Sequence, residues 1–346
     1  MTWAIYGATG YTGGLIAAEA IARGERPVLL GRTESRLRPF AESLDLPFVV
    51  VNDASLAKAL TPLDLVVNAA GPFVETLEPV LTACIVSGTH YLDISNEFES
   101  VQQLFRQGAR VRAVGITAVP SVGFGTVVTD AVAAHAVGSV AEPVAVEVAM
   151  FADNARGGPA TSASVVGVLG SGGVRIVNGL VQRAPLGRGI RRISTPIGAR
   201  SIVPIATGDL VTVRQTTGMR TVSASVGFSA PATLLTAGLP VVGFAARAHL
   251  VKGLPEVRHS SGHVYRSYAW ARATDANGHT ASSWLSTGEG FAFTATSTVN
   301  AVLGVLGRPL ADVATIASVL GTEFALGVPD TRIDALDDRG RIVTGS

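Results

Sequence analysis

The chain opens with short apolar runs separated by stretches whose apolar residues recur every three or four positions. Runs at Trp3 to Tyr6, Pro27 to Leu30, Phe48 to Val51, Leu65 to Asn68, His90 to Ile94 and Ile116 to Val119 have strand length. The intervals between them each have room for a helix, which is the rhythm of βαβ units and a parallel sheet. After Glu97, residues Phe98, Val101, Leu104, Phe105 and Ala109 fall on one side of a helical wheel. Six strands in this rhythm predict an α/β fold, a Rossmann-type doubly wound parallel sheet at the N-terminus.

Beyond Phe124 the rhythm changes to a Gly/Arg-rich middle with short apolar pieces. Strands are expected at Pro143 to Phe151, Asp209 to Arg214, Thr221 to Phe228 and Val264 to Thr274, and helical spacing returns at Gly290 to Leu306 and around Leu310 to Leu320. The pattern predicts a second, α+β domain over 125–287, with about 288–346 returning to the first domain of 1–124. A chain of 346 residues is long enough for two cores.

From Thr221 to Ala246 there is no charged residue, enough to span a bilayer. Pro231, Pro240 and interspersed Ser, Thr and Gly divide that stretch into a strand and a helix from Ala232 to Leu250. Buried core or interface is expected there, and no stable membrane span.

Directly between the first strand and its helix stands Gly7-Ala8-Thr9-Gly10-Tyr11-Thr12-Gly13. The first glycine permits a tight turn, the second a close approach of backbone amides to a pyrophosphate, and the third close packing of helix on strand. The helix N-terminus then faces the phosphates. The second strand ends in Gly31-Arg32-Thr33, with no acid for ribose hydroxyls; Arg32, supported by Thr33, suits a 2′-phosphate, so NADP(H) is the expected cofactor. Asp53 is placed either at the adenine or as a helix cap. Asn68-Ala69-Ala70-Gly71, closing the fourth strand, are expected to line the nicotinamide half.

A net charge of +1 and the absence of an aromatic-studded basic stripe argue against a nucleic-acid partner. Cys84, the single cysteine, excludes an intramolecular disulfide, and its apolar helical surroundings suggest a core thiol. With no signal-peptide pattern at the N-terminus, a cytoplasmic protein is expected. No metal is expected; His259 and His263 stand four apart, but Ser260, Ser261 and Gly262 between them suggest a turn.

Together, Gly7 to Gly13, Gly31-Arg32, Asn68 to Phe73, Thr89 to Glu97, Val122 to Asp130, Gly208-Asp209-Leu210 and Gly290 to Ala295 resemble the saccharopine dehydrogenase-like family, which includes saccharopine reductases and trans-acting enoyl reductases. The resemblance implies an NADP-binding Rossmann domain, a substrate and dimerisation domain between its two portions, a homodimer, and hydride transfer to a C=N or C=C bond of a small molecule. Asn96 and Gly125 depart from the family pattern.

Hydride transfer often needs one proton donor at the carboxyl ends of the strands. Asp93 is either an acid or base raised by desolvation or a cap that orients backbone amides, and Glu97 is either catalytic or helix electrostatics. Thr129 is a third candidate. None of the five tyrosines has a lysine four residues on, which excludes the short-chain dehydrogenase mechanism. An excess of arginine between Asp153 and Arg200 is either a set of solvated side chains on Gly-rich connections or a sign of an anionic substrate, with Arg156 before Gly157-Gly158 as its expected ligand. The alternative to an enzyme is a non-catalytic NADP(H)-binding sensor or scaffold.

Overall fold

The computed structural model describes residues 1–152, 166–247 and 265–343. They divide into two units. The first holds Met1–Phe124 and Phe291–Gly321, and the second holds the rest.

In the first unit β1 (Trp3–Tyr6), α1 (Tyr11–Ala22), β2 (Val28–Gly31), α2 (Glu34–Ser43), β3 (Phe48–Val50), α3 (Asp53–Leu60), β4 (Leu65–Asn68), α4 (Phe73–Ser87), β5 (His90–Asp93), α5 (Phe98–Arg106), α6 (Gly108–Val114) and β6 (Ala118–Val119) alternate as expected. All pairings within the six-stranded sheet are parallel, in the order β3-β2-β1-β4-β5-β6. Order reverses beside β1, so the carboxyl ends of β1 and β4 flank the switch point where such sheets bind ligands. Every residue of β1 and β4 is buried, as expected for strands covered on both faces.

The second unit contains α7 (Thr126–Gly138), β7 (Pro143–Ala152), β8 (Gly173–Val177), β9 (Leu180–Ala184), β10 (Arg191–Ile193), β11 (Arg200–Pro204), α8 (Asp209–Thr217), β12 (Thr221–Phe228), α9 (Ala232–Arg247), β13 (Ser267–Asp275) and β14 (Thr280–Thr287). The chain then forms α10 (Gly290–Gly307) and α11 (Ile316–Leu320) in the first unit, and β15 (Arg332–Leu336) in the second. The second sheet is mixed and runs β10-β11-β12-β7-β13-β14-β15, with the β8–β9 hairpin attached to β12. One of its faces packs Ala149, Phe151, Ile202, Trp270, Trp284 and Leu336 together. Helix α7, buried along most of its length, packs on β7, β13 and β14.

Four expectations change. Asp209 to Arg214 is helix, not strand: Leu210, Val211, Thr212 and Val213 are all buried, and Gly218 closes the helix at φ +71°. Their β-branched character suited a strand, but packing against α7 decides the matter. The Gly/Arg-rich middle holds β8 to β11. The helix around Leu310 shrinks to α11, because Asp312 and Ala314 bond to Ala118 and extend the edge of the first sheet. Finally, the tail does not stay with the first domain beyond Gly321, since β15 pairs antiparallel with β14.

The uncharged stretch forms β12, paired in the sheet, and α9, whose Leu235 and Leu239 pack on Leu186, Val203 and Ile205. Helix α10 is long and apolar enough to cross a membrane, and half of that window is buried. Ser297 on it donates to the Val122 carbonyl at 2.6 Å, and Thr294 accepts from the Phe124 amide at 3.0 Å.

Candidate functional site in the first unit

Backbone contacts dictate the glycine loop. Gly7 has φ +87°, and a Cβ there would lie 2.8 Å from the Ala70 amide nitrogen; a Cβ on Gly13 would lie 2.5 Å from the Gly7 carbonyl oxygen. Only glycine fits either place. Gly10 caps α1 without a side chain, and the first turn of α1 carries no acid. Its opening amides point out of the helix with no side-chain partner, a cradle suited to a pyrophosphate. Thr9, Gly10, Tyr11 and Thr12 are accessible while Ala8 is buried behind them. The Tyr11 ring meets Phe291 edge-on at 5.1 Å.

Arg32 lies just past β2 and is exposed, with no ion pair among the described residues. Arg38, by contrast, is bound to Glu34 one turn back. Thr33 is the N-cap of α2, and its hydroxyl makes no capping bond. Burial raises the Tyr6 phenol, with opposing influences from Arg32 and Asp53, so both charges act on the end of β1. The cap of α3 is Asn52 rather than Asp53: Asn52 accepts from the Ser55 amide at 3.0 Å, and Ser55 returns a bond to the Asn52 amide at 2.9 Å. Asp53 is the first helical residue.

A buried polar relay ties together the carboxyl ends of β4, β5 and β6. Asn68 accepts from the Ala70 amide (3.1 Å) and donates to Thr76 (3.1 Å) and to the Tyr91 hydroxyl (3.3 Å). Tyr91 donates to Asp93 Oδ2 at 2.9 Å. Asp93 Oδ1 accepts from the Ser95 amide (2.9 Å), the Ser95 hydroxyl (2.6 Å) and the Ser121 amide (2.8 Å). Burial pushes the Asp93 carboxyl up, and these donors resist it. Asn68 therefore shapes the Ala69-Ala70-Gly71 turn from behind.

Glu97 caps a helix other than its own. Its two carboxylate oxygens accept from the Phe73 and Val74 amides at 3.1 and 2.9 Å, closing the N-terminus of α4. Thr129 lies in the second unit, where its single hydroxyl proton is within reach of Asp209 at 2.5 Å and of the Thr126 carbonyl at 3.2 Å. Cys84 is in the core, where burial pushes its thiol up, so it is no nucleophile. Arg156, His259 and His263 lie outside the described residues.

Pattern reading missed Ser121 and marked Asn96 only as a departure from the family pattern. Ser121 adopts φ +61°, which turns its amide onto Asp93. The Asn96 amide oxygen is buried without a hydrogen-bond partner. A buried acceptor left without a donor invites a ligand. Its departure from the family pattern was the signal that pointed to it.

Comparison with known proteins agrees with this geometry. Residues 3–119 match the family described as saccharopine dehydrogenase NADP binding domain. A trans-acting enoyl reductase of Mycobacterium ulcerans (strain Agy99) is 32% identical over 136 residues, covering 34% of this chain and 32% of that protein. A probable mitochondrial saccharopine dehydrogenase-like oxidoreductase of Arabidopsis thaliana is 29% identical over 143 residues, covering 36% and 32%. The chain thus spans about a third of the length of these curated relatives. Apo saccharopine dehydrogenase (L-Glu forming) of Saccharomyces cerevisiae shares the fold over 97% of this chain and 100% of its own, with a TM-score of 0.65 at 12% identity. The first domain is therefore an NADP-binding domain of the saccharopine dehydrogenase type, an oxidoreductase family, and the two-domain fold is that of the yeast enzyme.

Proposed function

We propose that the protein reduces a C=N or C=C bond of a small molecule by NADPH-dependent hydride transfer. The observation that carries this reading is the Gly7/Gly13/Ala70 cradle with the exposed Arg32, which makes no ion pair among the described residues, following β2. The α1 amides hold the pyrophosphate, and Arg32 and Thr33 meet the 2′-phosphate. The relay from Asn68 to Ser121 fixes the turn past which the nicotinamide runs, and Asn96 offers a free acceptor at the end of β5. Bound NADPH supplies the hydride.

Asp93 serves here as a positioning residue, because all four of its donors would have to be given up for it to deliver a proton. NADPH consumption measured against cyclic imines and enoyl thioesters tests the proposal. Turnover of one class identifies the bond. Tight NADPH binding with no turnover across both classes favours the second reading, a non-catalytic sensor, which the internal engagement of Asp93, Glu97 and Thr129 supports. Arg32→Asp should weaken NADPH binding about ten- to hundredfold more than NADH binding, from loss of a charge-assisted pair of about 1.5–3 kcal/mol. Equal losses for both cofactors would sink the 2′-phosphate assignment.

A further inference from the structure

The second unit contains a cavity that the hydride chemistry leaves unused, and it follows from the sheet topology. One edge of β12 is shared by two partners: β8 pairs with Val222 and Ser223, and β11 pairs with Ser225 to Phe228. Two strands cannot run side by side along one edge, so the β8–β9 hairpin diverges from β10–β11. Between them opens a cavity of about 620 Å³. Its volume lies within the range of small-molecule sites.

Arg175, Arg183, Arg188 and Arg191 line it, against a single carboxylate, Glu147. Glu147 pairs with Arg191. Arg175 donates only to the neutral Gln182 side chain, at 3.0 Å, and Arg188 makes no ion pair among the described residues. Behind the wall Arg272 faces Glu147 across the strand pair, and the Arg272 and Arg191 guanidiniums stand 5.3 and 5.8 Å from the Trp270 ring. The Arg272 guanidinium is held below its usual range by burial first and by Arg191 second, with Glu147 and Asp338 opposing. Solvated arginines on a convex surface would spread apart, whereas these converge on a concavity, where field lines concentrate.

A second cavity of about 630 Å³ shares Arg183 and Ala184 with the first. Its walls are apolar in part: Leu169, Leu186 and Phe244 contribute, and Phe244 is 71% exposed. A large aromatic left in water beside a cavity is an unusual expense on a folded surface.

We propose that the two adjoining cavities form one binding site for an amphiphilic anion, its phosphate or carboxylate head among Arg175, Arg183, Arg188 and Arg191 and its apolar tail along Leu169, Leu186 and Phe244. Guanidinium forks match either head group in bidentate pairs. Four of the six described arginines between Asp153 and Arg200 are thereby gathered into one place.

The test is calorimetric titration of the full chain with n-octyl phosphate, octanoate, inorganic phosphate and octanol, with NADP+ saturating so that the first unit's phosphate cradle is filled. Octyl phosphate or octanoate should bind at least tenfold more tightly than inorganic phosphate or octanol, whichever is tighter identifying the head group, and binding should weaken with salt. Arg188→Gln should reduce that affinity tenfold or more. Glu147→Gln, which releases Arg191, should raise it severalfold. Both variants should keep wild-type NADP+ affinity and a wild-type urea midpoint. Equal binding of octyl phosphate and inorganic phosphate, equal binding of octanol, or an unchanged affinity in folded Arg188→Gln would each overturn the site. Because the readout is heat of binding, an absence of hydride transfer has no bearing on it.

Discussion

Asp93 at the end of β5 and Asp130 in α7 are buried to the same degree, at 1% and 2% exposure, one in each unit. Burial pushes both carboxyls up, but their surroundings differ. Asp93 accepts four hydrogen bonds, two from backbone amides and two from hydroxyls. These four donors favour the ionised carboxylate and so oppose the effect of burial. Asp130 accepts from Thr216 at 2.8 Å, and the Thr216 and Thr212 hydroxyls both lower its pKa against the burial. Burial, with Asp209 adding repulsion, pushes Asp130 up to about 8. At equal burial Asp93 is met by two backbone amides and two hydroxyls, and Asp130 by threonine hydroxyls and the repelling Asp209, so donors as well as depth bear on the charge.

The same isosteric change should have opposite signs at the two places. Asp93→Asn turns an amide against at least one donor and should cost about 3 kcal/mol at neutral pH, read as a fall in the urea midpoint. NADPH affinity should fall with it, as the relay behind the Ala69-Ala70-Gly71 turn loosens. A loss under about 1 kcal/mol would show that the relay does not hold the loop.

Asp130→Asn replaces a neutral acid by a neutral amide and should gain about 1–2 kcal/mol at pH 8. The folded-state pKa lies above the unfolded one, so the stabilisation from the neutral acid is complete below about pH 4 and is lost as pH rises to about 8. The Asn variant lacks this slope. Its advantage should grow across that window, and parallel stability–pH curves for variant and wild type would refute the neutral acid.

The smallest effect is expected at Glu97→Gln, which keeps one acceptor for the α4 amides but removes the charge at a helix N-terminus. About 1 kcal/mol is expected. Faster hydrogen exchange at Phe73 and Val74 should report it, with α5 unaffected; no acceleration at either amide and protection lost in α5 instead would return Glu97 to its own helix.

Much of the first unit was legible because its signals are local. Strands β1, β4 and β12 stand at the residues their apolar runs marked, and Gly7, Gly13 and Arg32 occupy the places their spacing implied. Where sequence reading stopped, a distant partner was the reason. Glu97 reads as a first-turn acid of α5, yet its amides lie 24 and 23 residues upstream. Asp93 reads equally as acid or anchor until the Ser121 amide, 28 residues on, is seen to bond it.

The sequence by itself determined the βαβ rhythm and the glycine turn, since period and turn conformation are properties of neighbouring residues. Only the tertiary structure decided that Asp209 to Arg214 would coil, that β15 would join the second sheet, and that Glu147 would meet arginines from four different strand or loop segments in one cavity. Those outcomes depend on which edges and faces remain available once the rest of the chain has packed, and no window of consecutive residues carries that information.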